Sequence, residues 1–368
     1  MKIKQIRHYI LRDYRGRISS DLTEFGQDTR TGSFNNYIAF VSLLYHPQEE
    51  KLYCGLTAAN TDILTKFDPR TKQFEKLDYT AVSEPFEVKV HRSLELASDG
   101  TVCGATSCLY GLHQRLQAPG GGLFRVRRGE SVPEKFAVPI KHDYIQTITL
   151  DDKRRLIYGL TYPVFKFFVY HLDTGEVEDY DYMGSITHIS ALDDSGCFWS
   201  TWDNLNHYLF KYNPDTREIT YFHHGIPNGR NEANMMYPGA GPVDCMINGG
   251  DGYLYIGTTG GSLCRLDPRT AEVEYLGKPA PTTRLPGLVL WHDSLLLGCA
   301  GDNEGGCIFT YDREKKAFRN LGPIRDTQTG LTLFRVHDLR LTDRNHAYVA
   351  ETDVPNRSGY LWECEITL

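Results

Sequence analysis

The stretch Leu52–Leu77, LYCGLTAANTDILTKFDPRTKQFEKL, decides the fold. It splits into a β-rich run, a polar loop, a second β-rich run, an Asp-Pro-Arg-Thr turn and a third run. The same sentence returns as LIYGLTYPVFKFFVYHLDTGEVEDY (Leu156–Tyr180), CFWSTWDNLNHYLFKYNPDTREITYF (Cys197–Phe222), LYIGTTGGSLCRLDPRTAEVEYLG (Leu254–Gly277) and LLLGCAGDNEGGCIFTYDREKKAFRNLG (Leu295–Gly322). Tyr, Phe, Val, Ile, Leu and Thr fill the runs, and Gly, Asp, Pro and Asn punctuate them, as pleated strands and tight turns require. No long amphipathic helix interrupts the pattern. A strand-built unit repeated at this length is the signature of a β-propeller.

A small residue closing the second run of each unit serves as a ruler. It stands at Gly55, Gly104, Gly159, Ser200, Gly257, Gly298 and Ala350, spaced 41 to 57 residues apart. Seven marks predict seven blades in an all-β chain, one domain spanning residues 1–368. After the last mark only one further strand is evident, within Gly359–Ile366. The β-rich segment Lys2–Leu11 therefore is expected to supply the outer strand of the final blade and close the ring, removing an exposed edge.

Composition narrows the partners. Of 368 residues 40% are hydrophobic, ample for a packed ring, and the formal net charge is −7. No basic stripe appears, so a nucleic-acid surface is not expected. No apolar run reaches transmembrane length, and the N-terminal MKIKQIRHYILRDYRGR has no apolar secretory core; the expectation is a soluble, cytoplasmic chain. Nine cysteines lack metal-site spacing. Cys54 and Cys103 occupy the same strand slot in successive units and read as small buried hydrophobes in a reducing compartment. The oligomeric state stays open.

In a propeller with strands A to D running outward from the axis, the D–A and B–C connections share one face. Here those connections are long and irregular (Thr106–Gly122, Trp202–His207, His223–Pro242), whereas the A–B and C–D turns are short. Long loops on a rigid scaffold carry function, so the D–A/B–C face is the expected functional face. Each inner strand also brings a polar residue to the axis at that face: His91, Tyr144, His188, Asp244 and His337. Three imidazoles in equivalent slots make a candidate chemical site. His46, His292 and His346 fall near the opposite turns and read as ordinary surface residues.

The motifs of nucleophilic hydrolysis, zinc proteases and phosphate loops are missing. No two carboxylates are paired by sequence in the manner of a glycosidase. The face offers histidine, tyrosine, cations and flat aromatic surfaces such as Tyr110, Trp202 and Tyr237. That mixture suits β-elimination from a uronic acid: a base for the proton α to the carboxylate, an acid for the leaving oxygen, and a cation to quench the carboxylate charge.

The stretches VHRSLELASDGTVCGATSCLYGLH (Val90–His113), APGGGLFRV and LIYGLTYPVFKFFVYHLDTGEV resemble the seven-bladed propeller polysaccharide lyases, which include the ulvan lyases and the L-rhamnose-α-1,4-D-glucuronate lyases. The similarity is clearest from Lys89 to Val177. It implies a lyase acting on an oligosaccharide substrate, with His91 and, 22 residues on, His113 in proton transfer and Tyr162 as their partner. A basic residue would hold the carboxylate: Lys166, Arg92 or Arg230. Tyr144, His188, Trp202, His207 and His337 complete the expected substrate-binding set. No cofactor is certain.

Three alternatives remain open. A metal-dependent lyase similar to the oligogalacturonate lyases would gather His188, His223, His224 and His337 around a divalent ion, although adjacent strand residues such as His223 and His224 face opposite ways. A non-catalytic propeller would bind a glycan or protein on the same face. A hydrolase or isomerase would draw on Glu351 and Asp353, which otherwise belong to the B–C loop of the last blade.

Overall fold

The computed structural model describes residues 1–16, 37–58, 62–84, 86–108, 112–185, 187–227, 242–292, 294–303 and 305–368, with backbone only for 108 and 112–114. The chain is a seven-bladed, all-β propeller. Blade 1 comprises Ile38–His46, Lys51–Ala58, Leu64–Asp68 and Gln73–Lys76; blade 2 comprises Leu94–Leu96, Val102–Ala105, Leu123–Val126 and Glu134–Ala137. Blade 3 runs through Tyr144–Asp151, Leu156–Tyr162, Lys166–His171 and Val177–Tyr182. Blade 4 runs through Ala191–Leu192, Phe198–Trp202, Tyr208–Asn213 and Glu218–Gly225. Blade 5 is Val243–Asn248, Leu254–Thr258, Leu263–Leu266 and Val273–Gly277, and blade 6 is Gly287–Trp291, Leu295–Ala300, Cys307–Asp312 and Ala317–Pro323.

Blade 7 takes three strands from the C-terminus (Val336–Leu341, His346–Glu351, Leu361–Thr367) and its outer strand from Lys2–Tyr9. The register runs antiparallel from Lys2 opposite Thr367 to Tyr9 opposite Leu361. The expected closure is thus the observed one. Side chains reinforce it: the Tyr9 hydroxyl donates to Glu363 at 2.5 Å and His8 Nδ1 lies 2.8 Å from Asp326 Oδ2. Inner strands of successive blades lie side by side, and the last, Val336–Leu341, meets the first, Ile38–His46.

The ruler residues have a steric cause. In blades 2, 3 and 6 the far end of the phenyl ring of the opposite C-strand residue occupies the space above the B-strand glycine. A Cβ on Gly104, Gly159 or Gly298 would come within 2.2, 2.1 or 2.3 Å of Phe124, Phe168 or Phe309. In blades 1 and 5, where the cross-strand partner is a leucine, the obstacle is the next blade: a Cβ on Gly55 or Gly257 would strike the carbonyl of Val90 or Leu285. Close packing of ring on backbone therefore writes the period into the sequence.

Between blades the core is aromatic. Phe167 of blade 3 stacks on Phe198 of blade 4 at 5.1 Å, and Tyr158 and Tyr212 extend the contact. Cys54 and Cys103 are buried free thiols, as expected of them. His46 departs from expectation. It is fully buried, its Nε2 donating to the Gly100 carbonyl at 2.9 Å and its Nδ1 accepting from the Glu49 amide at 3.1 Å. Neighbouring A–B turns touch, so a turn residue can be covered by the adjacent blade.

Replacing Gly159 with Ala should cost about 1–3 kcal/mol, the usual penalty of overpacking a tight core. Adding Phe168→Leu should return part of that loss, read as a positive coupling in a denaturant-melt double-mutant cycle. Additive losses would remove the ring-over-glycine explanation.

Candidate functional site

The inner strands share a local irregularity. Register slips between Phe40 and Ser42, Ile145 and Thr147, Val243 and Cys245, and Val336 and Asp338, leaving Val41, Gln146, Asp244 and His337 as extra residues. A β-bulge re-aims a side chain. Here it occurs at the start of the strand, beside the mouth of the central channel on the D–A/B–C face.

At that mouth three imidazoles meet. The His91 ring lies 5.1 Å from His337 and 5.6 Å from His188, and His188 lies 6.4 Å from His337, all edge to face. They come from blades 7, 4 and the strand-A approach of blade 2. No two of those blades are neighbours, so the rings touch across the axis. Each is almost wholly buried. His91 Nδ1 lies 2.8 Å from the Gln146 carbonyl. A carbonyl only accepts, so Nδ1 carries the proton and Nε2 keeps its lone pair. Burial, followed by the positive charge of Lys89, holds His91 well below the ordinary imidazole range. Burial and then His91, Arg92, Arg284 and Lys89 do the same to His337. His188 is also lowered by burial, with Asp244 opposing. All three rings are therefore neutral bases near pH 7.

Arg92 crosses the channel. Its Nη1 donates to the His337 carbonyl, and its Nη2 donates to the carbonyls of Pro286 at 2.5 Å and Asp244 at 3.3 Å. One guanidinium from blade 2 thus ties the inner-strand entrances of blades 5, 6 and 7. Its backbone sits at φ +47°, uncommon for a residue with a Cβ. The Thr147 hydroxyl pins its carbonyl at 2.9 Å. Opposite, Arg284, also at positive φ, grips Asp244 through two bonds of 2.8 and 3.0 Å, and His188 Nδ1 lies 3.1 Å from the same carboxylate. Burial would raise the Asp244 carboxyl, but Arg284 and His188 outweigh it and hold it far below the carboxylate range. Lys89, partly buried at the mouth, falls to about 8, mainly through burial.

The other expected site residues lie outside this trio, in contacts of their own. Tyr144 and Tyr162 pack on each other at 5.0 Å beside Phe86 and Ala118, and Phe165 abuts Tyr162. Burial raises the Tyr162 phenol, so it is protonated at neutral pH. Lys166 pairs with Asp179 at 2.7 Å and Asp181 at 3.3 Å. Trp202 donates to the Phe222 carbonyl and meets Tyr221 edge-on at 4.9 Å. His207 Nδ1 lies 2.7 Å from the Ser185 hydroxyl. The backbone of His113 belongs to a short 3-10 helix, Leu112–Gln117, and its side chain lies outside the described atoms. Arg230, Tyr110 and Tyr237 also lie outside the described residues.

The metal alternative finds no built site: His223 and His224 sit on the outermost strand of blade 4, away from the channel imidazoles. Among the described residues no group of three or more His, Cys, Asp or Glu is arranged to hold a metal ion. Glu351 is a structural pin. It takes a bidentate ion pair from Arg357 at 2.8 and 2.9 Å, the amides of Phe334 and Tyr360, and the Trp362 indole. Lys89 and Arg284 were not singled out by the sequence. They lie in D–A links, whose lengths vary, so the strand ruler does not reach them.

No protein-family model matches this chain, and no curated protein matches it in sequence. Among solved structures it is similar to a streptogramin B lyase (12% identity, TM-score 0.64, 99% of this chain and 100% of that one). It is also similar to the extracellular domains of two putative hybrid two-component systems from B. thetaiotaomicron. These are 16% and 13% identical, with TM-score 0.57 in both cases, and the matches cover 89% and 95% of this chain. The chain spans 39% and 43% of those two longer chains. At such identities the likeness is one of fold.

Buried neutral imidazoles link stability to pH. Their folded pKa is depressed, so the unfolded chain binds more protons once pH drops below about 6.5. Stability should then fall with falling pH, by about 1.4 kcal/mol per pH unit for each such ring. Denaturant melts between pH 7.5 and 5 should show His337→Asn lowering that slope by about one ring's share. An unchanged slope would mean that His337 titrates alike in the folded and unfolded chain, and a steeper one that it is charged when folded.

Proposed function

We propose that this protein is a lyase that cleaves a uronic-acid-containing oligosaccharide by β-elimination at the channel mouth. The observation that carries the proposal is the trio of neutral imidazoles meeting across the axis, in a field of Lys89, Arg92 and Arg284. Elimination needs a neutral base beside a positive field, because the proton to be removed lies α to a carboxylate and the charge builds up on that carboxylate. His91 presents a free Nε2 lone pair, fixed by the bond of its Nδ1 to Gln146. The resemblance of Lys89–Val177 to the propeller polysaccharide lyases and the likeness in fold to a streptogramin B lyase both support a lyase.

In this mechanism His91 Nε2 takes the C5 proton of the uronate. The electrons of that C–H bond form a C4–C5 double bond, and those of the C4–O bond leave with the oxygen. A protonated group returns a proton to that oxygen; Tyr162 or His113 fills this role by the resemblance, and the raised Tyr162 phenol keeps its proton at neutral pH. We place the reaction in the cytoplasm, where short oligosaccharides reach it and polymers do not.

The test is ultraviolet absorbance during incubation with glucuronate-, galacturonate- and rhamnosyl-glucuronate-containing oligosaccharides. The wild type should raise absorbance through a 4,5-unsaturated uronate, and His91→Ala should lower kcat by at least about 100-fold, the typical share of general-base catalysis. Absence of a rise across the panel, with or without added divalent metal, would sink elimination. Released reducing sugar would then point to hydrolysis, and tight binding without product to a glycan-binding propeller.

A further inference from the structure

Among the described residues the channel mouth holds more cations than its ion pairs account for. Asp244 is spent on Arg284, Asp353 on Arg335 at 2.7 Å, and Glu351 on Arg357. Among the described residues Arg92 is met only by backbone carbonyls, and Lys89 makes no hydrogen bond or ion pair, though it feels the charge of Asp353, itself paired with Arg335. Two cations without an ion pair among the described residues, at one buried place in a chain of net charge −7, run against the usual pairing of buried charge. Three buried polar atoms here also lack a partner among the described residues: Arg92 Nε, Arg284 Nη1 and His337 Nδ1. Such orphans call for an explanation, and an unfilled ligand site is one. The charges of Arg92, Arg284 and Lys89 all act on His337, which His91 and Arg92 touch directly.

We propose that the channel mouth is a built anion site, with Lys89 as its accessible cation over the buried Arg92 and Arg284, and that it takes the carboxylate of an acidic sugar. The sugar rests on the function proposed above; the anion site rests on the unpaired cations and the orphaned donors among the described residues. Lys89 is the specificity-determining residue, because it alone of the three cations is only partly buried and makes no hydrogen bond or ion pair among the described residues. Binding an anion there would also draw protons onto the imidazoles, by replacing a positive field with a neutral one.

Isothermal titration of the protein with glucuronate, glucose and sulfate tests the site. Glucuronate should bind and glucose should not, and sulfate should compete with glucuronate as a weaker anion. Lys89→Met should weaken glucuronate at least tenfold while Lys89→Arg keeps most of the affinity, both variants melting as the wild type does. Glucuronate and glucose binding alike, sulfate binding without displacing glucuronate, or Lys89→Met binding unchanged would each overturn the proposal. Glucuronate binding lost in Lys89→Met, with no unsaturated product from any oligosaccharide, would leave the anion site standing and remove the lyase. Product formation with KM unmoved by Lys89→Met would do the reverse.

Discussion

The guanidinium of Arg92 is the fixed point of this molecule. It leaves blade 2, crosses the channel and holds the carbonyls at the entrances of blades 5, 6 and 7. Apart from the imidazole contacts, the described ring is held blade to neighbouring blade, and by the closure of Lys2–Tyr9 on Leu361–Thr367. Arg92 adds a tie across the axis. It costs a left-handed backbone at a residue with a side chain, and strain of that kind gathers at functional sites.

The same charge shapes the chemistry. Because no carboxylate among the described residues pairs with Arg92, its field reaches the imidazoles of His337 and His188. Lys89 adds to it at His91. Burial alone would lower these imidazoles; burial beside uncompensated cations keeps them firmly neutral. His188 is tempered by Asp244, which is itself claimed by Arg284. Structure, charge and base strength are one arrangement, and none of the three could change without the others.

Much of the fold was legible because sterics wrote it in single letters. Gly104, Gly159 and Gly298 recur since a phenyl ring covers each, and the closing strand could be foreseen from a last blade short of one strand. The imidazole trio was legible through the same period, because the starts of inner strands converge on the axis whatever the loops do. The period fails in the D–A links, where Lys89 and Arg284 sit. It also says nothing of where a side chain's donors go: Arg92 reads as a cation for substrate, yet Nη1 and Nη2 are given to backbone. Tyr162, Lys166 and Trp202 stand at the ends of second and third strands, and a position counted along the chain does not reveal that they pack with Tyr144, Asp179 and Tyr221. His46 was misplaced on the surface because one chain segment cannot show that the next blade's turn will cover it.

The central claim is that His91, His188 and His337 are neutral bases held so by their surroundings. Nuclear magnetic resonance of the protein with isotope-labelled histidine, assigned through His91→Gln, His188→Gln and His337→Gln, measures this directly across a pH titration. The account predicts that His91 and His337 stay neutral from pH 8 to well below the ordinary value of about 6.5 and that His188 titrates below it, with His91 protonated on Nδ1. Titration of the trio near that ordinary value would contradict it, for the mouth would then be wet and its charges screened.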